Sequence, residues 1–397
     1  MTDRDIATQL IHHAYQPPAG FGAPQPGVFK ASTVMFPNVA AMRARNWKEK
    51  SGYTYGLHGT PTTFTLEARI ATLEGGSYTV LVPSGLASIA LTDIALLRAG
   101  DEVLIPDNAY HPNKELARHE LAQWGISHRL YDAMDANALA AAVTPQTRLV
   151  WIEAPGSVTM EFPDLPNLVR AARSRGALVA LDNTWGAGLA FNPFRLDGES
   201  ERALGVDVSA HALTKYPSGG GDVLMGSVTT RDASLHMAIN AAHMRMGWGV
   251  GANDVEAVLR GLPSMALRYE ASDRAGRALA QWWAQRPEVT QVLHPALTGS
   301  PGHEHWQKLC TKAAGLFSIV FDERYGTRQV DAFVDALQLF KIGFSWAGPI
   351  SLVVPYDLST MRTQPARGGT LVRFSLGLEA VEDLIADSQQ ALTALAG

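Results

Sequence analysis

The chain has 397 residues, more than one ordinary domain needs, so one large and one smaller domain are expected. Hydrophobic residues make up 46% and charged residues 18% of it, which supplies a packed core and excludes a disordered chain. A net charge of −5 argues against nucleic-acid binding through a general basic field, and the single cysteine, Cys310, excludes an internal disulfide and any multi-cysteine metal site.

No apolar leader follows Met1, and no uninterrupted apolar run reaches membrane-spanning length. Together with the lone cysteine this predicts a cytoplasmic location. Residues 1–57 show no core pattern. Pro17, Pro18, Pro24 and Pro26 with Gly20, Gly22 and Gly27 predict an extended arm. Tyr15, Phe21, Phe29 and Phe36 in that arm need a surface to pack on, and a neighbouring subunit is expected to provide it. A loop over 53–62 leads into a helix with Leu66, Ile70 and Leu73 at helical spacing, stopped by Gly75-Gly76.

From residue 79 an alternation begins. Strands are expected at 80–82, 102–105, 127–130, 149–153 and 178–182, with helices at 86–97, 116–124 and 165–175 between them. This predicts an α/β domain over 58–255, with a mainly parallel sheet covered by helices. Ligands of such sheets collect beyond the carboxyl ends of the strands. Pro83-Ser84-Gly85, Asn108-Ala109-Tyr110, Ala154-Pro155-Gly156 and Asp182-Asn183-Thr184 all fall there. Beyond 256, a helix at 254–283 leading into 289–292 and a loop at 295–302, strands at 315–321 and 371–376, and a helix at 330–337 predict a smaller α+β domain over 256–397.

Chemistry concentrates in residues 209–226, SAHALTKYPSGGGDVLMG. A strand is expected at 205–208 and another at 223–225, with Lys215 held between them beside Thr214 and a run of glycines. Burial lowers a lysine's pKa and makes it a nucleophile or Schiff-base former; a lysine snorkelling to the surface is the plainer alternative. Asp182 ends an apolar strand. It is either a turn aspartate or the carboxylate that a pyridoxal ring nitrogen requires. Ser84-Gly85-Leu86 opens a helix and offers backbone N–H groups to a phosphate, without the lysine of a P-loop. Ser209 and Thr214 are hydroxyls that can add donors. Tyr110 either stacks on a planar cofactor or packs under its own loop. Arg373, among apolar neighbours, wants a carboxylate, from a substrate or from an internal salt bridge. His12-His13 and His303-Glu304-His305 lack the spacing of a metal site, so no metal is expected.

Taken together, these residues resemble the cysteine/methionine-metabolism family of pyridoxal-phosphate enzymes. The resemblance runs from the Tyr53–Thr62 loop to Leu378. It is carried by Leu181-Asp182-Asn183-Thr184-Trp185, by Thr214-Lys215-Tyr216, by Phe344-Ser345-Trp346-Ala347-Gly348 and by Gly369-Thr370-Leu371-Val372-Arg373. The stretch from Glu153 to Glu161 is similar to the branch that eliminates at the β carbon. The resemblance implies the aspartate-aminotransferase fold type I and α,β-elimination of cystathionine to homocysteine, pyruvate and ammonia, with cysteine or cystine as further substrates. Lyases or synthases acting at the γ carbon, sulfhydrylases, and a non-catalytic cofactor-binding regulator are the alternatives.

The same resemblance implies site roles. Lys215 would carry the pyridoxal phosphate and act as base. Asp182 would pair with the ring nitrogen, and Tyr110 would stack on the ring and help activate the substrate amine. Gly85, Leu86, Ser209 and Thr214 would hold the phosphate, joined by Tyr55 from a neighbouring subunit of a homotetramer built from active dimers. Arg373, Ser345 and Trp346 would bind the substrate. One position departs from the family: Leu57 stands where an arginine usually follows the phosphate-contacting tyrosine, with His58 next to it. Weaker cofactor retention is expected in consequence. On dialysis against free lysine, Leu57→Arg should keep its cofactor longer than the wild type; equal loss would overturn this.

Overall fold

The computed structural model describes residues 4–13, 15, 17–48, 50, 52–197, 204–357 and 370–396. The site rests on a seven-stranded sheet. Its strands are β1 (Tyr78–Val82), β2 (Glu102–Pro106), β3 (Ser127–Tyr131), β4 (Thr147–Glu153), β5 (Leu178–Asp182), β6 (Val208–His211) and β7 (Gly226–Thr230), in the order β1-β7-β6-β5-β4-β2-β3. β7 runs antiparallel to both β1 and β6, and the remaining pairings are parallel. A five-stranded sheet of β8 (Val289–Leu293), β9 (Leu316–Phe321), β10 (Lys341–Ile342), β11 (Leu352–Tyr356) and β12 (Leu371–Ser375) has the order β10-β11-β12-β9-β8.

Helices α1 (Ile6–Ile11) and α2 (Val39–Arg43) lie in the arm. The large sheet is joined to α3 (Pro61–Glu74), α4 (Gly85–Leu96), α5 (His111–Leu116), α6 (Ala136–Ala142), α7 (Leu165–Arg173) and α8 (Ala233–Met246). The long α9 (Ala252–Trp283) leads to the second sheet, where α10 (His303–Leu309), α11 (Thr327–Asp335) and α12 (Val381–Ala391) follow.

Side-chain alternation covers both faces of the large sheet. Val103 and Ile105 of β2, Leu149 and Trp151 of β4, and Ala180 of β5 enter one apolar cluster. Their neighbours Leu104, Val150, Ile152, Val179 and Leu181 enter the other. Strands buried on two faces read as continuous apolar runs, which is why the sequence located them. α3 begins on a Thr60–Thr63 capping box with Pro61 in its first turn and ends at Gly75, whose φ of 73° suits glycine.

Several boundaries differ from expectation. β6 starts only at Val208, so residues 205–207 are irregular, and Val223–Met225 precede β7 rather than form it. The helix expected at 116–124 starts earlier, at His111, and passes through a π turn over Ala117–Leu121. β11 escaped prediction because Pro355 interrupts its pattern. Proline is tolerated there because β10 pairs only with Leu352 and Val353, leaving Pro355 beyond its end. Gly369, at the start of one quoted motif, lies outside the described residues.

Around the second sheet, Trp283 is fully buried and its ring centroid lies within 6.0 Å of those of Phe321, Phe333 and Phe374. Trp283→Ala should cost about 3–5 kcal/mol. Urea unfolding checks this, and a loss below about 1 kcal/mol would contradict the packing described.

Candidate active site

The cradle at the start of α4 forms first. Ser84 caps the helix, its Oγ accepting from Ala87 N–H at 3.1 Å. The N–H groups of Gly85 and Leu86, in the first turn, have no acceptor within the helix, and the helix dipole adds positive potential. Gly85 is demanded by close approach, since a Cβ there would lie 2.5 Å from Ala212 Cβ. The helix end therefore abuts the chain leading to Lys215, and its donors fit a phosphate group. Thr214 borders this cradle, with its Oγ1 donating to Met225 O at 3.2 Å and accepting Met225 N–H at 3.1 Å.

Ser209 is not in the cradle. Strand alternation turns it the other way, and its buried hydroxyl donates to Glu74 Oε2 at 2.7 Å. The expectation that it holds phosphate is thereby corrected.

The loop carrying Lys215 is clamped by α9. Arg268 donates to Tyr216 O at 2.7 Å and to Gly261 O at 2.8 Å. A Cβ on Gly261 would lie 2.2 Å from Pro217 O, so glycine alone permits this contact. Lys215 Nζ donates to Ser345 Oγ at 2.8 Å and lies 5.6 Å from the Trp346 ring centroid. Ser345 and Ala347 hold φ values of 111° and 65°, an unusual backbone for residues with a Cβ. Burial first, and the Arg373 cation second, bring the Lys215 amine down to about 8, against the opposing pull of Asp182. This lysine does not snorkel to the surface.

Two carboxylates stand side by side at the strand ends, because Glu153 and Asp182 pair in register on β4 and β5. Asp182 Oδ1 accepts Thr184 N–H at 3.0 Å. Burial raises its pKa, while hydrogen bonds from Thr184 and the charges of His211 and Lys215 act the other way. Glu153 is raised well above the ordinary value by burial and then by Asp182. Its Oε2 accepts Tyr110 N–H at 2.7 Å, which fixes Tyr110 at the start of α5. The Tyr110 ring is 42% exposed, so it does not pack away under its own loop. Burial, then Asp182, Glu153 and Tyr356, push its phenol up, so it keeps its proton rather than acting as a base in this state.

Arg373, from the middle of β12, is 7% exposed. Its Cζ sits 5.2 Å from the Tyr356 ring centroid, and among the described residues it has no carboxylate partner within salt-bridge distance. Among the described residues, then, no internal salt bridge accounts for it. Ser318, its register partner on β9, donates to Val158 O, tying this strand to the loop after β4.

Tyr55 is 47% exposed and makes its ring contact with His58. His58 Nδ1 meets Thr54 Oγ1 at 2.6 Å, and burial and Arg45 lower its pKa. It is thus a poor substitute for the missing cation at Leu57. Glu153 and Tyr356 are site residues that sequence reasoning missed. Glu153 carried the same signal as Asp182, a carboxylate closing an apolar strand; Tyr356 carried none, since its strand was hidden.

A buried amine, a paired carboxylate and a helix-end phosphate cradle at the carboxyl ends of a parallel sheet are the parts that a pyridoxal-phosphate enzyme needs. The model of the Cys/Met metabolism PLP-dependent enzyme family matches residues 7–393, and the chain belongs to this family, with pyridoxal phosphate as its cofactor. It is 34% identical to the cystathionine beta-lyase MetC of Escherichia coli, over 98% of both chains. It is also 33% identical to the L-methionine gamma-lyase of Pseudomonas putida, again over 98% of both. Among solved structures, the metB protein of Corynebacterium glutamicum superimposes with a TM-score of 0.88, covering 99% of each chain at 27% identity.

In the apoprotein, modification of Lys215 by an amine reagent should rise with a midpoint of about 8. Arg373→Ala removes a neighbouring cation and should move that midpoint upward, because the ammonium form then meets less repulsion. An unchanged or lower midpoint would contradict the geometry.

Proposed function

We propose that the enzyme catalyses α,β-elimination of thioether amino acids, L-cystathionine foremost, yielding homocysteine, pyruvate and ammonia, with cysteine and cystine as further substrates. The observation that carries this reading is Arg373, a nearly buried cation without a carboxylate partner among the described residues, placed electrostatically close to Lys215. A substrate α-carboxylate satisfies it, and the α-carbon then falls within the site of the amine. The choice of the β carbon is supported by the stretch from Glu153 to Glu161 and by the cystathionine beta-lyase relative. The gamma-lyase relative, almost equally similar, favours attack at the γ carbon as the second reading.

When bound, pyridoxal phosphate supplies the electron sink for a carbanion at the substrate α-carbon. The protein's own groups do the rest. N–H groups of Gly85 and Leu86, with Thr214 at the edge, hold the phosphate, and Tyr55 of a neighbouring subunit joins them. Asp182 keeps the proton on the ring nitrogen, and Tyr110 packs on the ring face. Arg373 orients the α-carboxylate with Ser345 and Trp346. Lys215 takes the α-proton as general base and returns it to the sulfur as the β C–S bond breaks with its electron pair. Water then converts the remaining enamine to pyruvate and ammonia. α1 packs through Leu10 into this chain's own core, the rest of the arm over 1–57 packs on a neighbouring subunit in a homotetramer of two active dimers, and the units divide at 58–255 and 256–397. The single cysteine is in keeping with a cytoplasmic setting.

Incubation with cystathionine should give pyruvate and homocysteine, and Lys215→Ala should abolish both products. Formation of 2-oxobutyrate and cysteine would replace the β reading by the γ reading. Wild-type turnover by Lys215→Ala would overturn the role of this lysine.

A further inference from the structure

Arg373 is a nearly buried cation whose neighbours across the sheet supply no negative charge. Its register partner on β11 is Val354, and its partner on β9 is Ser318, whose hydroxyl donates to Val158 O. A buried charge is costly unless something offsets it. What meets the guanidinium here is the ring of Tyr356, with its centroid 5.2 Å from Cζ.

The contact follows from register. Tyr356 pairs with Leu371, two residues before Arg373 on β12 and therefore on the same face of the sheet. Diagonal neighbours of this kind are within reach of aromatic and long side chains. Leu371 belongs to the apolar cluster on that face, and Tyr356 packs half-buried against it. Pro355, with its φ locked by the ring, restricts the main chain just ahead of Tyr356. Burial raises the Tyr356 phenol, against the pull of Arg373, so the ring is uncharged at neutral pH. The contact is a cation–π contact rather than an ion pair.

That difference bears on ligand binding. A carboxylate counter-ion would occupy N–H donors of the guanidinium fork, the same donors that a substrate α-carboxylate needs. A ring face attracts the cation through its π electrons and takes up none of them. A planar neighbour also restricts the orientation of a long side chain that is otherwise free to turn.

We propose that Tyr356 is a positioning residue for the substrate: its ring offsets the buried charge of Arg373 and holds the guanidinium plane, leaving the N–H edge open to the α-carboxylate. It acts through Arg373, and the inference rests on the reading of Arg373 as the anchor of that carboxylate. Affinity for an α-amino acid depends on Tyr356 whatever the amino acid's side chain.

Glycine is the probe, because it has the α-carboxylate and no leaving group. Its dissociation constant from the holoenzyme is read from the change in cofactor absorbance, whichever bond the enzyme cuts. Tyr356→Phe keeps the ring and should bind glycine within twofold of the wild type. Tyr356→Leu should bind it about tenfold more weakly, within the range of a desolvated cation–π contact. The same variant should raise KM for L-cystathionine by a similar factor, with kcat within twofold. Tyr356→Glu gives the guanidinium a counter-ion and should weaken glycine binding further. In an Arg373→Ala background, Tyr356→Leu should add less than twofold, because residues that act through one contact are not additive. Wild-type affinity in Tyr356→Leu or Tyr356→Glu, an equal loss in Tyr356→Phe, or a full tenfold loss in the Arg373→Ala background overturns the inference alone. If Arg373→Ala itself binds glycine as the wild type does, the reading of Arg373 falls and the inference with it. Tyr356→Met takes the place of Tyr356→Leu if that variant fails to fold.

Discussion

Confinement of the Lys215 amine is the constraint on which the rest of the site depends. Arg268 and Gly261 of α9 hold the main chain on either side of it, and Ser345 holds its tip from the loop ahead of β11. Burial makes the charged form of the amine costly. The large sheet supplies the lysine, while the loop between β10 and β11 supplies its hydrogen-bond partner. Neither sheet makes the site alone.

The same desolvation acts on every charged group at the strand ends, and the protein answers it differently in each case. Asp182 receives hydrogen bonds from Thr184 and favourable charges from Lys215 and His211. Glu153 receives little beyond the Tyr110 N–H and the charge of Lys114, and its proton is held well above the ordinary range. Burial therefore raises both carboxylates in register, and the hydrogen bonds and cations around Asp182 oppose that rise. Among the described residues Arg373 has an aromatic face in place of a counter-ion, which leaves its hydrogen-bonding edge for a ligand. These contrasts give the site its polarity, with cations towards the second sheet and carboxylates at the ends of the first.

Glycines and unusual backbone angles concentrate at the joints between these elements. Gly85, Gly226 and Gly261 each stand where a Cβ would strike main chain or a neighbouring Cβ at 2.2–2.5 Å. Such contacts bring the N-terminus of α4, the Lys215 loop and α9 closer than side chains allow. Val158 and Met160, with φ values of 72° and 59°, shape the loop after β4 that receives the Ser318 hydrogen bond.

The sequence by itself determined most of the large sheet and marked the candidate site residues at its strand ends. Apolar runs of strand length mark β2, β4 and β5, and a carboxylate or a glycine directly after such a run marks a strand end facing a ligand. Asp182 and Gly85 stood out for that reason, and Lys215 and Arg373 as cations set among apolar neighbours. Whatever depended on facing or on distant pairing was not. Ser209 lies six residues from Lys215, yet strand alternation sends its hydroxyl to Glu74, 135 residues away in the chain. Glu74 reads as an ordinary helix-end glutamate, and only its burial against His211 shows otherwise. Tyr356 was hidden behind Pro355, and its place over Arg373 follows from the pairing of β11 with β12. Local periodicity records which residues are apolar; it does not record which of two faces a polar residue takes, and tertiary packing alone decides that.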